Sequence, residues 1–286
     1  AIAADPGFGL AYLQLVQVKK AMGDRAGVEQ VMAAARKANL AGADRAELEL
    51  LAGGKAAESD ADTDKLLARW SGDTAKLMEL ANASYRSRGF TAAAKFFRAA
   101  AQANPKNTAA WNQLAYASAF AGDQAGAVDS LAKLRAAGPA NPNNDDTAGD
   151  IHFLFGDFAK AEASYLEANR KDPKFLGGVS VLKAARARLM TGDLPGADQI
   201  FTRYLALRKQ MKDPGVALEE AQWNARAGRK KQAVEALQTL AADPRMAAGA
   251  EVQAAIWSLA AGAQAEAEQH ARKAIAGSAA DPAHRA

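Results

Sequence analysis

A block of about 34 residues recurs along this chain, and that recurrence limits its fold more than any other feature. The clearest copy runs from Gly156 to Pro173. Counting from Gly156, Phe158 stands two residues on, Ala161 five, Tyr165 nine, Ala168 twelve and Pro173 seventeen. The same grid fits Arg88, Phe90, Ala93, Phe97, Ala100 and Pro105. Gly122 leads to Ala127, Leu131, Leu134 and Pro139, and Gly192 to Leu194, Ala197, Phe201 and Tyr204. Weaker copies start at Gly23, Gly228 and Gly262. From 88 to 262 the starting points are 34, 34, 36, 36 and 34 residues apart.

The spacing has a direct physical meaning. Offsets of five, nine and twelve line one face of a helix. The glycine ahead of them accepts the left-handed backbone that ends one helix, an aspartate after it caps the next, and the later proline stops the second helix. A second apolar face lies upstream, as with Trp111, Leu114 and Ala115 before Gly122. The residue seven before each start is small from the third unit on: Ala81, Ala115, Gly149, Ala185, Ala221 and Ala255. Helices can therefore cross closely there. Alanine is abundant and has the best helix propensity, while strand-like alternation is missing. The predicted class is all-α.

These residues resemble the tetratricopeptide repeat family, with its Trp, Leu, Gly/Ala and Tyr in a first helix and Gly, Ala, aromatic, Ala and Pro in a second. The resemblance implies a right-handed α-solenoid superhelix of antiparallel helix pairs, of the kind common in bacterial multi-repeat proteins. A single array over 1–286 is expected, in units 7–40, 41–71 (degenerate), 72–105, 106–139, 140–173, 174–212, 213–245 and 246–286. In the degenerate unit, helices are predicted at about 44–52 and 61–70, joined at Gly53–Gly54. The weak last unit is expected to act as a terminal cap. The opening AIAADP reads as the end of a second helix, so the chain is expected to be a piece of a longer protein.

Chemistry of a catalytic kind is not visible in the sequence. There is no cysteine, no nucleotide-binding glycine loop and no nucleophile elbow. His152 reads as a packing residue, and His270 as a surface partner of Glu266 four residues earlier. Asp60, Asp62 and Asp64, like Asn141, Asn143 and Asp145, begin as a calcium loop would, but the glycine and glutamate of that loop are missing, so both read as helix starts. The expectation is no enzyme, no cofactor and no metal. No apolar run approaches the ~18 residues of a membrane helix. Compartment is open between cytoplasm and periplasm, with the periplasm favoured by the absence of cysteine and of an initiator methionine.

The resemblance implies a binding surface on the first helices, at the residues two, three, six, ten and thirteen before each turn. Those singled out are Asn82, Tyr85, Arg86, Asn112, Tyr116, Asp150, Arg186, Gln222 and Arg226, with Asp146, Phe120 and Phe153 beside them. Such groups suit an extended protein or peptide partner. Tyr116 and Arg186 are expected to contribute to binding and little to stability. Net charge is +4, and residues 170–231 hold 14 Lys/Arg against 6 Asp/Glu. That stretch is the alternative: a face for nucleic acid or another polyanion, the less expected partner because no base-reading or aromatic-interleaved motif accompanies it.

Overall fold

The computed structural model describes residues 1–52, 60–213, 215–242 and 244–279, without the side chains of Lys231, Gln238, Pro244, Arg245, Ser278 and Ala279. The chain is all-α, and no strand occurs among the described residues. Among the described residues the helices form eight pairs. Pairs one to three are α1 (Gly9–Ala21) with α2 (Arg25–Lys37), α3 (Gly42–Ala52) with α4 (Asp60–Arg69), and α5 (Thr74–Arg86) with α6 (Phe90–Ala103). Pairs four and five are α7 (Thr108–Phe120) with α8 (Gln124–Ala137), and α9 (Pro142–Leu154) with α10 (Phe158–Lys171). Pairs six to eight are α11 (Val179–Met190) with α12 (Leu194–Gln210), α13 (Val216–Arg226) with α14 (Lys230–Ala241), and α15 (Pro244–Ala260) with α16 (Gln264–Ala279). The chain divides into two compact units, Ala1–Asp172 and Pro173–Ala286.

The recurrent grid becomes the core of each unit. Ala93, Phe97 and Ala100 are fully buried in α6, as are Ala127, Leu131 and Leu134 in α8, and Ala161, Tyr165 and Ala168 in α10. In the second unit Ala197, Phe201 and Tyr204 repeat this in α12, and Ala233, Leu237 and Leu240 in α14. The small residues Ala81, Ala115, Gly149, Ala185 and Ala221 of the first helices are buried too, while Ala255 is half-buried; Gly149 shows why size matters there, since a Cβ would collide with the Tyr165 ring. The two 36-residue spacings also have local causes. A 3-10 turn at Phe175–Gly178 precedes α11, and α12 runs to 17 residues.

The turns follow one recipe. Gly23, Gly122, Gly156, Gly192, Gly228 and Gly262 all have positive φ, and Arg88 adopts φ 62° where the others place glycine. In three pairs the sequence continues Asp-x-x-Gly. Asp24, Asp123 and Asp193 accept the backbone N–H of Gly27, Gly126 and Gly196 at 2.8–2.9 Å. A Cβ on any of those second glycines would strike the capping carboxylate.

The degenerate unit forms its helix pair, one residue or two from the expected bounds. The predicted Gly53–Gly54 turn lies outside the described residues, as does His284. Its anchor is polar: Glu47, 1% exposed, receives Trp70 Nε1 at 2.9 Å and pairs with Lys76 of α5 at 2.8 Å. Burial disfavours the Lys76 charge, but the Glu47 and Glu79 carboxylates outweigh it and hold the ammonium above its ordinary pKa. The last pair departs from expectation. A cap needs a polar outer face, yet Ile256, Leu259 and Ile275 are exposed on α15 and α16.

Candidate functional site

In the first unit, the singled-out residues of α5, α7 and α9 separate into two groups. Asn112, Tyr116 and Asp150 join neighbouring helices. Thr147 Oγ1 donates to Asn112 Oδ1 at 2.7 Å, across α7 and α9. Asp150 accepts from two phenols, Tyr116 at 2.6 Å and Tyr165 at 2.8 Å, which ties α7, α9 and α10 together. Burial first, then the Asp150 carboxylate, pushes both phenols far above their ordinary pKa. Tyr116 is therefore a cross-link, and the expectation that its loss leaves stability unchanged is revised. Asp146 is buried beside this group.

The other group faces outward. Arg86 is exposed, without an ion pair among the described residues. Asn82 and Tyr85 are half-buried. Tyr85 packs edge-on against Phe90 at 5.3 Å and reaches Phe120 at 6.1 Å, and Phe120 remains 45% exposed. Pair five repeats the edge-on contact with Phe153 and Phe158 at 5.2 Å. His152 is half-buried as expected, and burial, acting before its charged neighbours, lowers its pKa.

In the second unit, Arg186 of α11 is half-buried and already engaged. Gln222 and Arg226 of α13 border a cavity of about 510 Å³ between pairs seven and eight. Its floor is apolar, with Ala225, Ala233, Val234, Ala254 and Trp257. Its rim carries Arg226, Lys230, Glu266 and His270, and the Gln222 amide lies 3.4 Å from that of Gln253. His270 pairs with Glu251 at 2.6 Å, not with Glu266 as the sequence suggested. Trp257 was not singled out from the sequence, and Lys230 and Glu266 entered only as part of the basic stretch and as the expected partner of His270. The signal was there: the places holding Tyr85 and Phe90 in pair three hold Ala225 and Lys230 in pair seven.

Several arginines of the basic stretch are paired within the second unit. Arg188 reaches Asp193 at 3.4 Å, Arg208 pairs with Asp213, and Arg229 grips Asp198 through two 2.9 Å bonds. Asp198 also accepts Trp223 Nε1 at 2.7 Å, while Trp223 stacks on Phe201 at 4.4 Å. No group of three or more potential metal ligands is found among the described residues, and no helix there is long and apolar enough to cross a membrane. The calcium-like stretches are otherwise occupied: Lys95 holds Asp60 and Asp64, Asn141 caps α9, and Lys171 and Arg135 hold Asp145.

A tetratricopeptide repeat protein from Parabacteroides merdae ATCC 43184 matches this structure with a TM-score of 0.55 and 16% identity, over 94% of this chain and 92% of its own. The fold is that of a tetratricopeptide-repeat array. MamA matches less well, with a TM-score of 0.49 and 14% identity over 72% of this chain and 94% of its own. No protein-family model and no curated protein matches the sequence. In this array the turn glycines and the buried alanines serve the repeat itself. The unpaired Arg86, the exposed Phe120 and the cavity of pair seven lie outside that structural requirement.

Proposed function

We propose that this repeat array is a non-catalytic scaffold that binds a protein or peptide partner along its first helices. The observation that carries the reading is the outward group of the first unit, Asn82, Arg86 and Phe120 beside Tyr85. Exposed aromatic and arginine side chains are the groups that most often dominate protein contacts. Holding an aromatic half-exposed over a fixed aromatic cluster also costs little entropy on binding, since the ring is already positioned. Asn112, Tyr116 and Asp150 support this surface from beneath by fixing α7 against α9. The polyanion reading is less favoured, because Arg188, Arg208 and Arg229 of its stretch are taken up by local carboxylates and no base-reading or aromatic-interleaved motif accompanies the remaining charge.

The test is a pull-down with the intact chain and with Arg86→Ala/Phe120→Ala, followed by titration of the captured partner. The double variant is expected to weaken binding at least tenfold, about 1.4 kcal/mol, with helicity unchanged by circular dichroism and a melting temperature lowered only by the lost Phe120 ring contacts. Undiminished binding would remove this surface from the reading. Binding that collapses as salt rises, to nucleic acid instead of protein, would move the function to the basic stretch.

A further inference from the structure

The cavity between pairs seven and eight has a sequence-level cause. In pair three the grid places three before and two after the turn hold Tyr85 and Phe90, whose rings close on each other. In pair five they hold Phe153 and Phe158, which do the same. In pair seven they hold Ala225 and Lys230, and both line the cavity. Two aromatic rings have been replaced by a methyl group and a charged chain. The volume of about 510 Å³ falls within the ~300–1,000 Å³ of small-molecule sites and exceeds what one partner side chain would fill.

The charges on the rim are divided between its walls. Arg226 and Lys230, from pair seven, are exposed and have no ion pair among the described residues. Pair eight contributes Glu266, equally exposed and without an ion pair among the described residues, and His270, which is bonded to Glu251 behind the lining. A simple anion would gain from one wall and be repelled by the other, and a simple cation the reverse. A ligand carrying both charges gains from both walls. The apolar floor with Trp257 calls for an apolar body between those charges, and the facing Gln222 and Gln253 amides can bond a peptide group.

We infer that this cavity binds a zwitterion with apolar side chains, a free amino acid or a peptide of two or three residues with both termini unblocked. Its carboxylate lies against Arg226 and Lys230, its ammonium against Glu266, and its side chains on the Trp257 floor. The site is separate from the partner surface of the first unit and stands whether or not that surface binds a protein.

The experiment titrates the full chain with leucine, dileucine and trileucine by calorimetry and Trp fluorescence, beside dileucine that is N-acetylated or C-amidated. Saturable binding is expected from at least one unblocked ligand, and the tightest identifies the source as amino acid or short peptide. Each blocking group is expected to weaken dileucine at least tenfold. Arg226→Gln/Lys230→Gln, on exposed side chains, should weaken unblocked dileucine by a similar factor and leave the amidated form unaffected. Ala225→Tyr/Lys230→Phe, with helicity checked by circular dichroism, should abolish binding by restoring the aromatic plug. The inference is overturned if no unblocked ligand saturates, if blocked dileucine binds equally, or if the charge-neutral variant binds as the parent does.

Discussion

Pair three of the first unit and pair seven of the second are built on the same grid, and they differ where the grid leaves the core. Both bury alanine five residues after the turn and a large apolar residue nine after it, Phe97 in one and Leu237 in the other. Pair three then closes the mouth of its hairpin with Tyr85 and Phe90 and leaves Arg86 on the surface. Pair seven leaves the mouth open and lines it with charge. The core positions are interchangeable because each must only fill a gap between helices. The mouth positions are not constrained in this way, so the two pairs can present different chemistry on one scaffold.

Three sets of substitutions test how deep the likeness runs, beyond the binding experiments above. The largest effect belongs to the shared core. Phe97→Ala should destabilise the protein by about 4 kcal/mol and Leu237→Ala by about 3 kcal/mol, measured by chemical denaturation. A loss below about 1 kcal/mol at Leu237 would mean that the open mouth of pair seven extends into its core. The turn comes next. Arg88 sits at φ 62° where pair seven has Gly228 at φ 79°, and a side chain there is strained by about 1 kcal/mol. Arg88→Gly should therefore gain at most about 0.5 kcal/mol after the extra unfolded-state entropy of glycine is counted. Gly228→Arg should lose stability.

The smallest effect is a pH dependence confined to the first unit. His152 of pair five occupies the place that Asn224 fills in pair seven. Burial disfavours its imidazolium, so its folded pKa lies below the ordinary histidine value of about 6.5. The unfolded chain then binds the proton first as pH falls. The contribution of His152 to stability is thus present above about pH 6.5 and is lost as pH drops below that value. His152→Asn should flatten the change in denaturation midpoint between pH 7.5 and pH 5.5. An unaltered slope would assign the acid sensitivity to other groups.

Much of the fold was legible without a structure, because the signals that make a helix hairpin are local. Phe97, Ala93 and Ala100 fall on one face by helical geometry alone, and Gly122 followed by Asp123 spells a turn and a cap whatever surrounds them. The candidate site was legible only in part. Asn112 and Tyr116 stand half-buried on the first helices, and their polar atoms are taken up by Thr147 and Asp150, one repeat further on. Glu47 shows the same limit. Nothing in its own helix marks it as buried until Trp70 and Lys76 close over it.

The sequence by itself therefore determined the eight helix pairs, their turns and their apolar seams, since each depends on residues within about one helical hairpin. Only the tertiary structure decided which groups on the first helices remain available. Availability depends on what the next pair places opposite, as Asp150 does for Tyr116 and as Ala225 and Lys230 fail to do for the space beside Trp257. A side chain's exposure is a property of two helices at once, and a spacing rule describes one.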